Sequence, residues 1–389
     1  MNNTAETFLE TELEAQTCVF EVGSLQAHLG QIQDPRQARG IRYSLPIMLS
    51  MLVLAKLCGE DELSGMAEWV RLREEELTGW LGLARRTLPH LTTYQRLLGQ
   101  LDIEEVEQVV GQFFQNQSGG VVSLDGKTLR GTIPPGQTHG THLLAAYAVE
   151  QGVVLHQVAV GTKTNEITVA PQLIQSLDLR GTVVTGDALL TQRDICAAIH
   201  DADGDYAFPV KANHPTLQHA IAEVFLPSLT PHHHARFTQA QTYTNQAGRV
   251  EWRILMATPV LNDYLHYRGW SHVRQVFRLQ RIVHRKTTGR LSYEVIFGMT
   301  SLTSQQVSPA RLLEIMRHHW HIENRLHYVR DVTFHEDACR LRNPHLQHGL
   351  AILNNLALGL IRQFDRFPYV PQARRYLNAH PFEALQLIC

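Results

Sequence analysis

Apolar residues recur at helical spacing over the first 115 residues of the chain. The pattern is present in Leu45–Cys58, in the segment that begins at Met66 and in the segment that begins at Thr92. Apolar positions three and four residues apart mark one face of an α-helix, and threonine is a common residue at a helix start. Leu45–Cys58 is shorter than the roughly 20 apolar residues that cross a bilayer. The pattern therefore predicts an all-helical N-terminal domain over residues 1–115, with a buried helix and no membrane span.

Short apolar runs, typical of β-strands, replace the helical pattern after the polar connector at residues 115–120. Two of these runs, 143–149 and 153–160, are separated by a short turn with a glycine and are predicted to pair as a hairpin. Two helix-like segments then alternate with two more strand-like runs. The order β, β, β, α, β, α, β is that of an RNase H-like core, so the chain is predicted to be of the mixed α/β (α+β) class.

A second change of pattern occurs inside this part of the chain. Extended runs rich in threonine, arginine and aromatic residues occupy about 215–300, and helical patterns resume at Pro309. We therefore predict an RNase H-like domain over residues 120–364 with a β-rich insertion at about 215–300. Residues 365–389 are predicted to form a C-terminal tail.

Charge is distributed unevenly along the chain, although the formal net charge is only −2. Residues 249–290 contain nine basic and two acidic residues, whereas residues 1–24 contain five acidic residues and no Lys or Arg. A local basic surface can contact phosphate groups even when the whole chain is near neutrality. Because the acidic N-terminus lacks the basic region of a signal peptide, a cytoplasmic location is expected.

Two aspartates stand at the ends of strand-like runs. Asp125 follows an apolar run and precedes Gly126, and Asp187 follows another and precedes Ala188. A strand end brings a carboxylate to the edge of a sheet where ligands bind, and a small neighbour leaves space for a metal ion and a phosphate. An aspartate at either place can equally cap a helix or form a turn. The pair in one domain favours a shared metal site.

A long helical pattern covers residues 317–337 and contains Glu323. Helical spacing places Met316, His319 and Arg330 on the same face as Glu323. The apolar neighbours expected to pack inward are Trp320, Ile322, Leu326 and Val329. The alternative interpretation is an amphipathic helix with a solvated polar stripe.

Three blocks of sequence carry a resemblance to a known family. They read LDGKTLRG, VVTGDALLTQ and HWHIENRLHYVRDVTFHEDACRLR, in this order, with the β-rich insertion between the last two. They resemble the bacterial insertion-sequence transposases with a DDE domain, in the branch that includes the H-repeat-associated proteins. The N-terminal segment DPRQARGIRYSLPIMLSMLVLAKLCG resembles the helical domain that precedes the catalytic part in that branch. The resemblance therefore covers most of the chain.

The resemblance implies a site, a reaction and partners. Asp125, Asp187 and Glu323 match the triad that binds the catalytic metal ions, which are Mg²⁺ with Mn²⁺ as a substitute. The implied activity is cleavage of double-stranded DNA at the element ends and strand transfer into target DNA. Paired ends imply a homodimer in the active complex. The alternative is a catalytically inactive or domesticated DNA-binding protein derived from an insertion sequence, and a generic Mg²⁺ nuclease is a third possibility.

Several residues are candidate contacts to nucleic acid. The wider group carries a Tyr-x2-Arg-x3-Glu-x6-Lys signature, and this chain has Met316, His319, Glu323 and Arg330 at those positions, so that only the glutamate is kept. Other basic side chains follow the first aspartate, end a later strand or lie on the basic strand 273–286, which an aromatic residue precedes. The full set of candidates is Lys127, Arg130, Lys211, Trp270, Arg274, Arg278, Arg281, His319 and Arg330. Solvated surface charges are the alternative interpretation for the basic side chains.

Three further acidic residues are candidates for a fourth carboxylate at the same site. Glu336 lies several turns beyond Glu323 on the predicted helix, and Asp331 lies off the face that Glu323 occupies. Glu166 remains the candidate for a fourth metal-binding carboxylate.

Overall fold

The computed structural model describes residues 24–39, 41–85, 87–115, 120–161, 164–226 and 237–389. The contacts divide the chain into two compact units. One consists of the residues up to Asp102 together with Arg366–Cys389, and the other is Ile103–Asp365. The α-helices of the described residues are α1 (Leu25–Leu29), α2 (Leu45–Leu57), α3 (Leu63–Leu72), α4 (Glu74–Trp80), α5 (Leu91–Leu98), α6 (Ile103–Gln115), α7 (Glu166–Gln175), α8 (Arg193–Asp201), α9 (Pro215–Val224), α10 (Asn262–Tyr267), α11 (Pro309–His318), α12 (Tyr328–Val332), α13 (Pro344–Phe364), α14 (Val370–Ala379) and α15 (Pro381–Gln386). The strands are β1 (Gly120–Thr128), β2 (His142–Ala148), β3 (Val153–Val160), β4 (Thr182–Thr185), β5 (Asp205–Val210), β6 (Thr238–Gln246), β7 (Arg249–Thr258), β8 (Gln275–Arg285) and β9 (Leu291–Thr300).

The two compact units do not divide where the hydrophobic pattern changes. Helix α6 precedes the predicted boundary at 115, but it packs against β3 and α13 of the larger unit. The predicted tail, 365–389, forms α14 and α15, and both of these helices contact α2. Packing partners decide this grouping, and periodicity in the sequence does not reveal them.

Helix α2 is the apolar stretch that begins at Leu45. It has no single apolar face, and most of its side chains are buried, as expected of a helix surrounded by protein. Helices α1, α3, α14 and α15 all contact it. The Lys56 ammonium donates a hydrogen bond to the carbonyl of Asp61 at 2.9 Å. Across the described part of the chain, no helix combines the length and the apolar character needed to cross a membrane.

The helical pattern that begins at Thr92 forms two helices, α5 and α6. Helix α5 starts at Leu91, and the His90 side chain accepts a hydrogen bond from the backbone N–H of Thr92. The prediction that Thr92 itself caps the helix is therefore wrong. Gly99 ends α5 with its backbone still in the right-handed helical region, at φ of −74°.

A single nine-stranded sheet forms the centre of the larger unit, in the order β3-β2-β1-β4-β5-β9-β8-β7-β6. The predicted hairpin is confirmed as β2 and β3, which are antiparallel. Strand β1 is antiparallel to β2 and parallel to β4, and β4 is parallel to β5. The first five strands thus have the order of an RNase H-like core, which confirms the predicted fold class.

The β-rich insertion continues the core sheet. Strand β9 pairs antiparallel with β5, with Ala207 opposite Thr300, and β8, β7 and β6 follow in antiparallel order. The insertion also contains α9 and α10. Its strands lie on the side of β5 away from the hairpin.

The helical pattern at 317–337 is not one continuous α-helix. Helix α11 ends at His318, a π-helical segment covers Ile322–His327, and α12 ends at Val332. His335 has a left-handed backbone conformation with φ of 51°, which turns the chain into a short 3-10 turn. Helix α11 contacts β1, β4 and β5, so it packs against the strand that contains Asp125 and the strand that precedes Asp187.

Glu150 links the β2–β3 turn to the start of β1 and to α11. Its carboxylate accepts a hydrogen bond from the backbone N–H of Val121 at 2.9 Å and lies 3.3 Å from the guanidinium of Arg311. His318 Nδ1 lies 3.5 Å from the same carboxylate without hydrogen-bond geometry. Burial raises the pKa of Glu150, but His318 and the backbone N–H groups outweigh it, and the net pKa is about 2.

We expect this carboxylate to make the fold sensitive to acid. The folded pKa of about 2 lies below the ordinary value of 4.5, so Glu150 stabilises the fold fully above that ordinary value. The contribution is lost as the pH falls from 4.5 towards 2. In Glu150→Gln, the melting temperature should depend less steeply on pH over this range than in the wild type. The exposed Glu223→Gln is the matched control, and an unchanged slope in Glu150→Gln would contradict the expectation.

Candidate metal centre

Asp125 lies within β1, and Asp187 lies two residues beyond the end of the adjacent parallel strand β4. The expectation that Asp125 ends its strand is therefore corrected, because β1 stays paired with β2 as far as Thr128. The register pairs Ser123 of β1 with Thr185 of β4. Asp125 is two residues after Ser123, and Asp187 is two residues after Thr185. Side chains two residues apart on an extended strand point to the same face. The register therefore brings the two carboxylates to one face, at the carboxyl end of β4.

A buried hydrogen bond fixes this register. The hydroxyls of Ser123 and Thr185 are 2.9 Å apart and both residues are fully buried. A buried hydroxyl is favourable only when it is hydrogen-bonded. The pair therefore holds β1 and β4 in the alignment that places Asp125 beside Asp187.

The turn after Asp187 is held in place by its own carboxylate and by the end of β5. Asp187 Oδ1 accepts hydrogen bonds from the backbone N–H groups of Leu189 and Leu190, at 2.8 and 3.3 Å. Asn213 donates to the carbonyl of Ala188 at 2.6 Å. Asp187 can thus cap the turn through Oδ1 and still bind a metal ion through Oδ2, so the two interpretations of this aspartate are compatible.

The third carboxylate reaches the site from the π-helical segment. Glu323 is exposed, and the backbone N–H of Tyr328 donates to its carbonyl, five residues earlier in the chain. Such π segments are rare and occur often at functional sites. Ligand atoms of Asp125, Glu323 and His327 lie within 4.8 Å of one another. The structure thus brings Glu323 to Asp125, whose strand is adjacent to the strand that Asp187 follows.

His319 lies close to the two aspartates. Its ring interacts electrostatically with Asp125, Asp187 and Lys211. Burial lowers the pKa of His319 below its ordinary value, although the two carboxylates act in the opposite direction. A neutral ring can donate to or accept from a polar group of a ligand. Lys211 is exposed at the end of β5, where its charge can meet a phosphate group.

Glu166 lies on the opposite face of β1 from Asp125. Its carboxylate is 2.7 Å from Nε2 of His142, and a Cβ added at Gly126 would overlap both Glu166 and His142. Gly126 is adjacent to Asp125, and successive positions on a strand face opposite sides. The expectation that Glu166 supplies a fourth metal-binding carboxylate is therefore corrected: the sheet separates the two groups.

Arg330 is fully buried and paired with Glu336, so the expected DNA contact by Arg330 is corrected as well. Its guanidinium donates to both carboxylate oxygens of Glu336 at 2.9 to 3.0 Å. Asn354 donates to the same carboxylate at 2.9 Å, and Asn355 accepts from Arg330 at 3.3 Å. The cluster joins α12 to α13 beneath the segment that carries Glu323. Arg330 and Glu336 therefore support the site from the interior.

Lys127 and Arg130 are both paired with carboxylates that follow the π segment. Lys127 is almost buried, and its ammonium lies 2.6 Å from Asp331 and 3.4 Å from Asp337. Arg130 is mostly exposed, with Nε 3.2 Å from Asp337. Lys127 thus holds α12 against β1, and the expected phosphate contact by Lys127 is corrected. The exposed Arg130 can still contact a phosphate of a DNA backbone.

Trp270 and the basic strand meet the expectation of nucleic-acid contacts only in part. Trp270 is 4% exposed, with the Arg193 guanidinium 5.1 Å from its ring centre, so its ring cannot stack on an unpaired base. Arg281 on β8 is paired with the buried Glu251 and lies 3.5 Å from Glu294. Of the arginines predicted on this strand, Arg274 is exposed and precedes β8, and Arg278 is half-buried on it.

The structure shows aromatic residues that the sequence patterns did not single out. The register places Tyr243 opposite Trp252, and Ile282 of β8 opposite both Trp252 and Tyr293. The three aromatic side chains are exposed, and Arg278 donates to the Tyr293 hydroxyl at 3.4 Å. They form a row across four strands, which we call the aromatic row. The alternation of apolar and polar residues indicated the strands, but only the pairing of the strands shows that the exposed rings are aligned.

The donor set suits a hard divalent cation. Carboxylate oxygens are the ligands that Mg²⁺ prefers, and a few of them with water and substrate phosphates complete its coordination. Asp125 and Glu323 supply such oxygens within one group, and the Nε2 atom of the buried His327 faces them. The residues therefore fit a metal ion, and His327 is a member that sequence analysis missed. Its four-residue spacing from Glu323 was the available signal.

Comparisons with known proteins identify the family to which the chain belongs. Residues 116–360 match the family described as "Transposase DDE domain", and residues 26–114 match the one described as "DDE_Tnp_1-associated". The "Putative transposase YncI" of Escherichia coli O157:H7 is 28% identical over 349 residues, which cover 88% of this chain and 88% of that protein. The "H repeat-associated putative transposase YhhI" of Escherichia coli (strain K12) is 24% identical over 354 residues, which cover 88% of this chain and 91% of that protein. The chain belongs to the Transposase DDE domain family.

Proposed function

We propose that this chain binds the ends of an insertion sequence and catalyses Mg²⁺-dependent cleavage of DNA and strand transfer at a single site. The observation that carries the proposal is the arrangement of three carboxylates from three separate elements. Asp125 and Asp187 follow equivalent positions of adjacent strands, and Glu323 lies within reach of Asp125. A homodimer would allow two element ends to be held together.

The proposed reaction depends on metal ions bound at these carboxylates. Asp125 is central, because it neighbours both Asp187 and Glu323, so it would bind at the position shared by two ions. Bound ions would supply Lewis-acid stabilisation of the charge on the attacking and leaving oxygens. Water attacks the phosphorus and the bond to the 3′ oxygen breaks. The freed 3′-hydroxyl then attacks a phosphodiester of the target DNA, the target bond from phosphorus to the 3′ oxygen breaks, and a target 3′-hydroxyl leaves, so the chain needs no covalent nucleophile.

The chain's own cations and aromatic rings would hold the DNA. Lys211, at the end of β5, is placed to neutralise a phosphate next to the reacting one. The aromatic row and Arg278 lie farther along the same sheet, where rings can stack on unpaired bases and arginine can contact the backbone. This surface replaces the predicted role of Trp270.

The test is an assay on DNA duplexes that carry the element's own ends, with Mg²⁺. Wild type should produce nicked or cut ends and, in the presence of target DNA, joined products. Glu323→Gln keeps the size of the side chain but loses the charge, so it should bind the same duplex and yield neither product. Binding is measured by mobility shift, and products are measured on a denaturing gel.

Two results would count against the proposal. Cutting without joining under any condition would indicate a nuclease of the same fold. Binding of the ends by wild type without cutting, in Mg²⁺ or in Mn²⁺, would support a domesticated DNA-binding protein that has lost its activity.

A further inference from the structure

His327 lies beside the carboxylates and has no part in the proposed reaction as described so far. Its side chain is 6% exposed, and Nε2 lies 3.2 Å from Oδ2 of Asp125. The two atoms lack the geometry of a hydrogen bond, and neither ring nitrogen has a hydrogen-bond partner among the residues that the structure describes. A buried polar nitrogen without a partner is unfavourable. The nitrogen that faces Asp125 is therefore suited to bind a ligand.

The π-helical segment brings His327 to the same side as Glu323. The two residues are four positions apart, and the segment Ile322–His327 contains both. Residues four apart already neighbour each other on an α-helix, and the wider π turn, closed by a hydrogen bond over five residues, still keeps the two side chains adjacent. Leu326, next to His327, is fully buried and anchors this turn. The backbone thus presents a carboxylate and an imidazole together to Asp125.

We propose that His327 Nε2 is a direct ligand, with Asp125 and Glu323, of one divalent cation, and that this set binds Mn²⁺ more tightly than Mg²⁺. The inference deepens the proposed function and rests on its assignment of metal binding to Asp125 and Glu323. Asp187 is outside this group of three and is left to a second ion, shared with Asp125.

The spacing of the donor atoms suits one ion. Neighbouring ligands of an octahedral ion with bonds of about 2.1 Å are about 3 Å apart. The observed 3.2 Å between His327 Nε2 and Asp125 Oδ2 is close to this spacing. All three donor atoms lie within 4.8 Å of one another.

The chemistry of the donors sets the metal preference. Mg²⁺ strongly favours oxygen ligands, whereas imidazole suits first-row transition metals. A site with two carboxylates and one imidazole is therefore expected to discriminate between the two ions, which a site of carboxylates alone does weakly. Mn²⁺ also carries unpaired electrons, so its ligands can be identified by magnetic resonance without any DNA or turnover.

The experiment uses the full chain with Mn²⁺ alone. Pulsed electron paramagnetic resonance detects a directly bound imidazole as modulation from ¹⁴N. Wild type should show this modulation, and it should change to the ¹⁵N pattern when the protein contains ¹⁵N-histidine. This labelling alters no contact, so it remains informative even if a variant fails to fold.

Substitutions then assign the signal to one residue. His327→Gln should lose the ¹⁴N modulation and bind Mn²⁺ at least about tenfold more weakly, with a much smaller change for Mg²⁺. His219→Gln is the matched control, because His219 is also four residues from a glutamate, Glu223, but is mostly exposed. It should keep the wild-type modulation and affinity. Circular dichroism verifies that each variant is folded.

Other outcomes would overturn the inference. Modulation that is absent in wild type would show that no histidine binds the ion directly, and the inference would fail. Modulation that persists in His327→Gln and disappears in His319→Gln would assign the imidazole ligand to His319. The proposed reaction is tested separately, by DNA cleavage. A protein with the ¹⁴N signal but no cleavage would support His327 as a metal ligand and contradict the proposed reaction. A protein that cleaves DNA but lacks the ¹⁴N signal would support the reaction and contradict the role of His327.

Discussion

Replacing Asp125 with asparagine is expected to reduce DNA cleavage and strand transfer by at least about 1,000-fold, which corresponds to about 4 kcal/mol of transition-state stabilisation. The effect should be the largest among the carboxylates, because Asp125 neighbours both Glu323 and Asp187. An amide has no charge with which to bind a divalent ion. The rate is measured under single-turnover conditions on an element-end duplex with Mg²⁺, and DNA binding is measured in parallel.

The matched control for this prediction is Glu166→Gln. Glu166 is also a carboxylate next to β1, but it pairs with His142 on the opposite face of the strand. Its loss should leave the cleavage rate within a few-fold of wild type. Equal losses in Asp125→Asn and Glu166→Gln would mean that Glu166 reaches the metal site, contrary to the face assignment. An active Asp125→Asn would remove Asp125 from the triad.

Replacing Arg330 with methionine is expected to lower the free energy of unfolding by about 3–5 kcal/mol, because it leaves the carboxylate of Glu336 buried without its ionic partner. Arg330 is fully buried and Glu336 is 8% exposed. Burial raises the pKa of Glu336, yet Arg330 and Asn354 lower it below its ordinary value in net effect. Urea unfolding followed by circular dichroism measures the loss.

A double substitution separates this mechanism from simple loss of packing. Arg330→Met combined with Glu336→Leu removes both charges, so it should recover much of the stability that Arg330→Met loses. The exposed pair Arg180 and Asp178 provides the control, because Arg180→Met should leave the unfolding midpoint close to that of wild type. A double variant as unstable as the single one would show that shape, and not charge, is the contribution of Arg330.

The sequence predicted the elements better than it predicted their partners. The hairpin β2–β3 and the alternation of strands and helices could be read from apolar periodicity, because a local pattern of burial repeats along each element. The insertion was predicted as β-rich, but its continuity with β5 depends on pairing between residues far apart in sequence, such as Ala207 and Thr300. Local patterns contain no information about such pairing.

The helix around Glu323 shows the same limit at closer range. Its periodicity predicted a continuous helix that would present Glu323 and Arg330 on one polar face. The structure has a π-helical segment at Ile322–His327, which changes the direction of the later side chains. Arg330 then meets Glu336 in the interior, and His327 faces Asp125 instead. The identity of a buried partner decides whether a charged side chain points inward, and the sequence alone does not name that partner.

The sequence by itself determined that Asp125 and Asp187 belong to strand regions of one α/β domain, that Glu323 lies in a later helical segment, and that these blocks resemble a DDE transposase. These features are local and follow from residue type and spacing. The tertiary structure alone decided that Glu166 lies behind β1, that Lys127, Trp270 and Arg330 are taken up by internal contacts, and that the exposed rings of the insertion form one row. The physical reason is that strand register and side-chain burial are set by contacts between distant segments, and those contacts exist only in the folded chain.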